Sequence, residues 1–277
     1  MEYITKEGLI NALKESGINK GDTIIVHSDI SSFGVVENFT KKKQLETFYN
    51  AFMEVLGEEG TLCVPSFFFE YGSNGIPFDI SGSQISSSLG VFSKYITSLP
   101  NRKRSPMPIT SVSAIGKHAE YICEAKNRHG YGIDSAWDRM YKLNTKIISL
   151  GFLGGLTFTN YIEHKIGIPY MYTKIFRTPV LDNGKVIFDY TFNSVRFLEF
   201  NVDRYLREER FEKAQFIEKG VTKAVNYLHA PICVTYMHDM FNYLKELYYN
   251  DPDYFLKHEP DYIKGKVPDD GINLTQI

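Results

Sequence analysis

Two short apolar runs constrain this chain more than anything else in it: TIIVHS (Thr23–Ser28) and TLCVPSF (Thr61–Phe67). Each carries four or more consecutive residues without a charge, as a strand buried on both faces requires. Helical patterns alternate with them. TKEGLINALKESG has Thr5 as N-cap and Gly17 as stop. KKKQLETFYNAFMEVLGEEG sets Leu45, Phe48, Tyr49, Phe52 and Leu56 at helical spacing, and Gly57 ends it. The alternation continues through SVSAIG, KHAEYICEA and KIISLGF. Helices layered around a sheet with parallel pairs are the expected α/β result.

The pattern changes after Pro169. TPVLDNGKVIFDYTFN reads as two strands around Asn183-Gly184, a strong hairpin turn. From Val202 onward two helices are expected. The second, Tyr236 to Tyr249, carries Met237, Met240, Phe241, Leu244, Leu247 and Tyr248, a stripe suited to a core or to a homodimer face. The reading is a single domain over 1–258, a hairpin addition at about 178–200, and a polar surface tail over 259–277.

Composition removes several function classes. With 277 residues, 43% of them hydrophobic, the chain buries a sizeable core. A formal net charge of -2 with no basic stripe gives no footprint for nucleic acid or a membrane surface. The start, MEYITKEGLI, lacks a basic segment followed by an apolar one, and no stretch reaches a membrane-spanning length, so a cytoplasmic protein is expected. Cys63, Cys123 and Cys233 are far apart and form no C-x-x-C, which argues against a disulfide framework or a zinc knuckle.

Four segments offer chemistry, each beside a plainer reading. In LTFTNYIEHKIGIPY, Asn160 and Glu163 share one helix face and His164 turns toward the next turn. A carboxylate among Tyr161, Ile162 and Ile166 is a candidate proton acceptor. Spacing alone describes a solvent-facing Glu better. Zinc is not expected, because Asn160 stands where H-E-x-x-H needs its first imidazole relative to His164. GDTIIVHSDISSFG puts small hydroxyls and free amides at a strand's end, suited to a phosphate or pantetheine amide, or simply to a turn. In KRSPMPITSVSAIGK, Arg104 beside Ser and Thr can hold a phosphate, or be a surface Arg at a corner. In HGYGIDSAWDRMYK, Trp137 reads as a loop anchor, His129 as a base or an exposed residue, and Asp134 as a cation holder or a cap. His118, His229, His238 and His258 have no partners at metal spacing. No G-x-S-x-G elbow is present, so a serine hydrolase has no support.

Taken in order, GDTIIVHSDISSFG, LGEEGTLCVPSF, FDISGSQISSSLGVFSKYI, RSPMPITSVSAIGK, YGIDSAWDRMYKLNTKIISLGF, TFTNYIEHKIGIPY and FEKAQFIEKG resemble the coenzyme-A-dependent aminoglycoside 3-N-acetyltransferases, from about Gly21 to Lys257. The resemblance implies a three-layer α/β/α body with a central mixed sheet, distinct from the GNAT acetyltransferases. It also implies acetyl-CoA or another short acyl-CoA as donor, no metal, and a primary amine on a sugar as acceptor. Its catalytic group would be Glu163, Asn160 and His129. Donor-binding candidates are His27, Ser28, Asp29, Ile30, Ser31, Arg104, Ser105, Thr110, Ser111 and Val112. Substrate candidates are Phe68, Glu70, Tyr71, Asp134, Tyr170 and Lys174. The chain departs from the family pattern at three imidazole positions, now Asn160, Met107 and Thr110, and Glu163 is left to accept the amine's proton. Amides near Ile30-Ser31 or Ser111-Val112 would steady the oxyanion. Cys63 sits inside a strand and reads as core. Lys174 and Arg177 suit a nucleotide diphosphate, so the favoured acceptor is a nucleotide-linked amino sugar for surface polysaccharide. An aminoglycoside is the alternative, and an acyl-CoA-binding protein without turnover a third.

Overall fold

The computed structural model describes residues 2–82, 84–124, 127–154, 156–197 and 202–262. It opens with α1 (Lys6–Glu15), capped by the Thr5 side chain accepting from the Gly8 amide at 3.0 Å, then β1 (Thr23–Ser28) and α2 (Lys41–Leu56). β2 (Thr61–Pro65), α3 (Glu70–Asn74), β3 (Phe78–Asp79), α4 (Val91–Ser98) and β4 (Lys103–Arg104) follow. β5 (Val112–Gly116), α5 (Ala119–Cys123), α6 (Ala136–Lys142), β6 (Lys146–Leu150) and α7 (Thr159–Ile166) complete the first part. β7 (Met171–Phe176), β8 (Val180–Asp182), β9 (Lys185–Phe188) and β10 (Thr191–Arg196) are short. α8 (Arg207–Lys213), β11 (Thr222–Tyr227), β12 (Ala230–Tyr236) and α9 (Met237–Asn250) end the described fold.

Seven strands form a mixed central sheet in the order β11-β12-β6-β1-β2-β5-β4. β1 runs parallel to β2 and β6, and the outer strands pair antiparallel. β1 shows why its sequence is an unbroken apolar run. Ile24 and Val26 enter one core with α1, α2 and α4, while Ile25 enters the other with Trp137, Tyr161 and Met240. Helices therefore cover both faces, and the layered α/β expectation holds.

The sequence places β11 and β12 in a helical region. They are instead an antiparallel hairpin that extends the main sheet beyond β6. The stripe on α9 goes into the chain's own core, where Met237, Met240, Leu244 and Tyr248 are buried. The hairpin at Asn183-Gly184 forms as read: φ is 49° and 74° at the two turn residues. Its strands pack with β3 as a small sheet beside the β7–β10 ribbon. Of the tail over 259–277, residues 263–277 lie outside the described residues.

Two features position the site. The parallel strands end together, with His27 beside Ser149 and Ser28 beside Leu150. Gly151 then turns away at φ +88°, where a Cβ would lie 2.1 Å from the Asp29 carbonyl oxygen, so only glycine lets the β6 turn close on the β1 loop.

Candidate active site

The α7 segment sits across the carboxyl end of the sheet and carries two very different carboxyl and amide environments. Glu163 is fully buried. Its Oε1 accepts from the Tyr170 hydroxyl at 2.9 Å and the Tyr248 hydroxyl at 2.5 Å. Its Oε2 pairs with Arg204. Burial and the Glu163 charge hold both tyrosines protonated. For Arg204, burial works against the charge and Glu163 more than restores it. Three donors hold its two oxygens, the residue is fully buried, and it lines neither of the clefts described below. The structure thus gives it an orienting place and not the open position that a direct base needs.

Asn160 lies one turn earlier and is open. Its Oδ1 accepts from Arg204 Nη1 at 2.9 Å, and its side chain also bonds the Tyr131 hydroxyl. A guanidinium has only donors, so the atom facing Arg204 must be the amide oxygen. Asn160 Nδ2 is thereby the donor end of the amide, and it serves the Tyr131 hydroxyl.

Two clefts meet at Asn160 and Thr157, which line both. The first, about 270 Å³, runs over His27, Ser28 and the amino end of α4 at Ser88–Gly90 to Arg204, Arg207 and Arg210. No carboxylate is among its described lining residues. His27 Nε2, Ser28 Oγ, Arg204 Nε, and Arg210 Nε and Nη1 are buried there without a hydrogen-bond partner. An orphaned buried polar atom costs about 1–3 kcal/mol, which a ligand rich in acceptors would recover. Burial and then the Arg207 charge push the His27 pKa down to about 4, so it is a neutral imidazole. The residues fit the phosphates and amides of coenzyme A. The second cleft, about 370 Å³, is lined by Phe67, Phe69, Ile109, Tyr131, Met171 and residues 193–196 of β10.

Other expected residues lie elsewhere. The Arg104 guanidinium is buried and donates to the carbonyls of Ser66 at 2.7 Å, Gly82 at 3.1 Å and Gln84, with Nε on Ser111 Oγ. Four of its five N–H donors are thereby spent on clamping the chain. Ser105 accepts from the Val112 amide at 2.9 Å, and the Ser111 amide donates to the Pro108 carbonyl, so those amides cannot serve an oxyanion. The Ser31 amide is likewise held by Asp29 Oδ1 at 3.1 Å, and Ile30 is buried. Thr110 is buried behind Gly130, outside both clefts.

Phe68 and Tyr71 belong to a small core cluster, and the Tyr71 hydroxyl donates to the Thr178 carbonyl at 2.6 Å. Their neighbours Phe67 and Phe69 line the cleft instead. Glu70 accepts from Ser86 Oγ at 2.5 Å, and Asp134 is held by Arg139 through two bonds of 2.7 and 2.8 Å. Tyr170 is buried on Glu163. Lys174 lies on β7 over the Phe176 ring and lines neither cleft. Trp137 is the expected loop anchor, donating to the Thr110 carbonyl at 3.0 Å. Cys63 is core, its thiol pushed well up by burial. Among the described residues no group of His, Cys, Asp and Glu is placed to hold a metal ion, and no helix is long and apolar enough to cross a membrane.

Sequence reasoning missed Arg196, Arg204, Arg207 and Arg210. For the last three the signal was present in VDRYLREERF, whose alternating charges look like a solvated helix face.

A layered α/β body with an arginine-lined cleft opening on a second one suits a coenzyme-A-dependent N-acyltransferase, the class to which its relatives belong. The family model for aminoglycoside 3-N-acetyltransferase matches residues 25–248, and the chain belongs to that family. It is 26% identical over 200 residues to aminoglycoside N(3)-acetyltransferase III of a Salmonella species, covering 66% of this chain and 68% of that one. The structure of aminoglycoside acetyltransferase AAC(3)-IVa in complex with a gentamicin superposes with a TM-score of 0.74 at 26% identity, covering 94% of each chain. AAC-IIIb, solved as a binary complex with CoASH, shares the fold with a TM-score of 0.75 at 21% identity, covering 94% of this chain and 100% of that one.

Proposed function

We propose that the chain transfers the acetyl group of acetyl-CoA to a primary amine of an amino sugar. The observation that carries this is the junction of the two clefts at Asn160 and Thr157. The donor lies along the arginine cleft, with Arg207 and Arg210 meeting its phosphates and Ser28 its pantetheine arm. The acceptor lies in the second cleft, so the amine and the thioester meet at α7 in one oriented site. Asn160 Nδ2 donates to the carbonyl oxygen as charge builds there, held in place by Arg204, which Glu163 anchors.

The relatives support an aminoglycoside as the acceptor: the Salmonella protein is named for that activity and AAC(3)-IVa holds a gentamicin. One observation favours the nucleotide-linked sugar as a second reading. The acceptor cleft contains Arg196, which makes no ion pair among the described residues, and no Asp or Glu among its described lining residues. A polycationic drug gains little there, while a diphosphate would pair with the guanidinium.

Thiol release from acetyl-CoA, measured against gentamicin-type drugs and against nucleotide-linked amino sugars, tests both. Turnover with either class is expected, and Arg207→Ala with Arg210→Ala should raise the KM for acetyl-CoA tenfold or more. Acetyl-CoA binding with no turnover on any amine would leave a binding protein in place of the enzyme.

A further inference from the structure

His164, one turn beyond Asn160 on α7, completes a small polar cluster that the readings above leave unused. Its Nδ1 lies 2.8 Å from Ser194 Oγ on β10. The His129 ring stacks against the His164 ring with centroids 4.4 Å apart, and His129 Nε2 makes a longer 3.5 Å contact to the same hydroxyl. Ser194 is also among the residues lining the acceptor cleft. Positions 160 and 164 share a helix face, so the cluster begins one turn from the cleft junction.

The hydrogen bonds settle where the protons sit. The Tyr131 amide donates to His129 Nδ1 at 3.0 Å, so a neutral His129 carries its proton on Nε2. That Nε2–H points at Ser194 Oγ. The hydroxyl's own proton is then directed to His164 Nδ1, which must be bare. Burial, reinforced by the neighbouring charge of Lys165 at His164 and of His164 at His129, favours the neutral form of both rings and takes His129 down to about 4. The groups facing the pair are Lys165 on the same helix, Ser194 from β10 and the Asn127–Tyr131 loop that holds His129.

We propose that the proton shed by the acceptor amine leaves through Ser194 to His164, a route that replaces the imidazole absent at position 160. This rests on the acetyl-transfer reading. The amine nitrogen attacks the thioester carbonyl carbon, forming C–N, and C–S breaks with its electron pair on sulfur. The nitrogen's surplus proton passes to Ser194 Oγ as the Ser194 hydroxyl proton passes to His164 Nδ1. The imidazolium then gives one proton through solvent to the coenzyme A thiolate, which restores neutral His164. Ser194 is the group that meets the substrate, and His164 acts through it.

Three variants test the route: Ser194→Ala, Ser194→Thr and His164→Asn. Asn at 164 still accepts the Ser194 hydrogen bond through its amide oxygen but takes no proton. With an acceptor that the wild type uses, Ser194→Ala and His164→Asn should each lower kcat about 100-fold, within the range for general-base loss. KM for acetyl-CoA and its Kd by calorimetry should stay within threefold, which also reports that the variants are folded. Ser194→Thr, which keeps the hydroxyl, should restore at least a tenth of the rate. Full rate in folded His164→Asn means that the hydrogen bond is structural, and the proton route is overturned. A wild type that acetylates no amine at all overturns the transfer reading itself, and this route with it.

Discussion

At the scale of single residues, the site is governed by what Arg204 neutralises. Glu163 looks in sequence like a lone carboxylate on an apolar helix face. In the fold it is one end of a chain that runs through Arg204 to Asn160. Taking away one partner of such a buried pair leaves the other uncompensated, at a cost of about 3–5 kcal/mol. Glu163→Gln should therefore cost about 3 kcal/mol in urea unfolding. The double variant Glu163→Gln with Arg204→Met should recover part of that loss, since the guanidinium that Glu163 neutralised is then gone as well. An unfolding midpoint that does not move in the single variant would mean that Arg204 does not depend on this charge.

At the scale of elements, legibility follows local signal strength. The first two helices and β1 and β2 were readable because caps, glycine stops and apolar runs agree there. The hairpin at Asn183-Gly184 was readable because both turn residues need positive φ. β11 and β12 were not. Their connection uses Leu228 at φ +54°, a residue that carries no turn signature, and β11 is an edge strand with only Thr222 buried. The arginines of the donor cleft were hidden for a similar reason. A charge run on a short helix looks the same in sequence whether it faces water or a ligand. Glu163 and Asn160 were placed on one face correctly, but only the tertiary arrival of Arg204, Tyr170 and Tyr248 shows which of them is open. The turn after β6 is an element-scale constraint with a sharp consequence. Gly151→Ala would set a Cβ against the Asp29 carbonyl and strain a left-handed φ, which forces the β6 turn off the loop that follows β1. The expected result is a loss of at least about 2 kcal/mol in stability. Acetyl-CoA affinity should fall as well, because His27 and Ser28 move with that loop.

At the scale of the whole molecule, the donor cleft ties together parts of the chain distant in sequence. It draws on β1, the amino end of α4, the segment before α7, and α8. The orphaned atoms of His27, Ser28, Arg204 and Arg210 make the folded state itself bear a desolvation cost that a bound polyanion removes. Binding confined to the folded state raises stability by about 2.7 kcal/mol at a ligand concentration 100 times Kd. Acetyl-CoA should accordingly raise the melting temperature by several degrees at saturation. The shift should shrink with added salt, because the exposed part of the Arg207 contact is screened. Arg210→Met is the more telling variant. Removing a buried guanidinium whose Nε and Nη1 lack partners should leave the unliganded protein as stable as the wild type or more so. The same change should abolish most of the shift with acetyl-CoA. Differential scanning fluorimetry with and without the thioester reads both effects at once. A variant that melts lower without ligand and still gains the full shift would place the coenzyme's phosphates elsewhere.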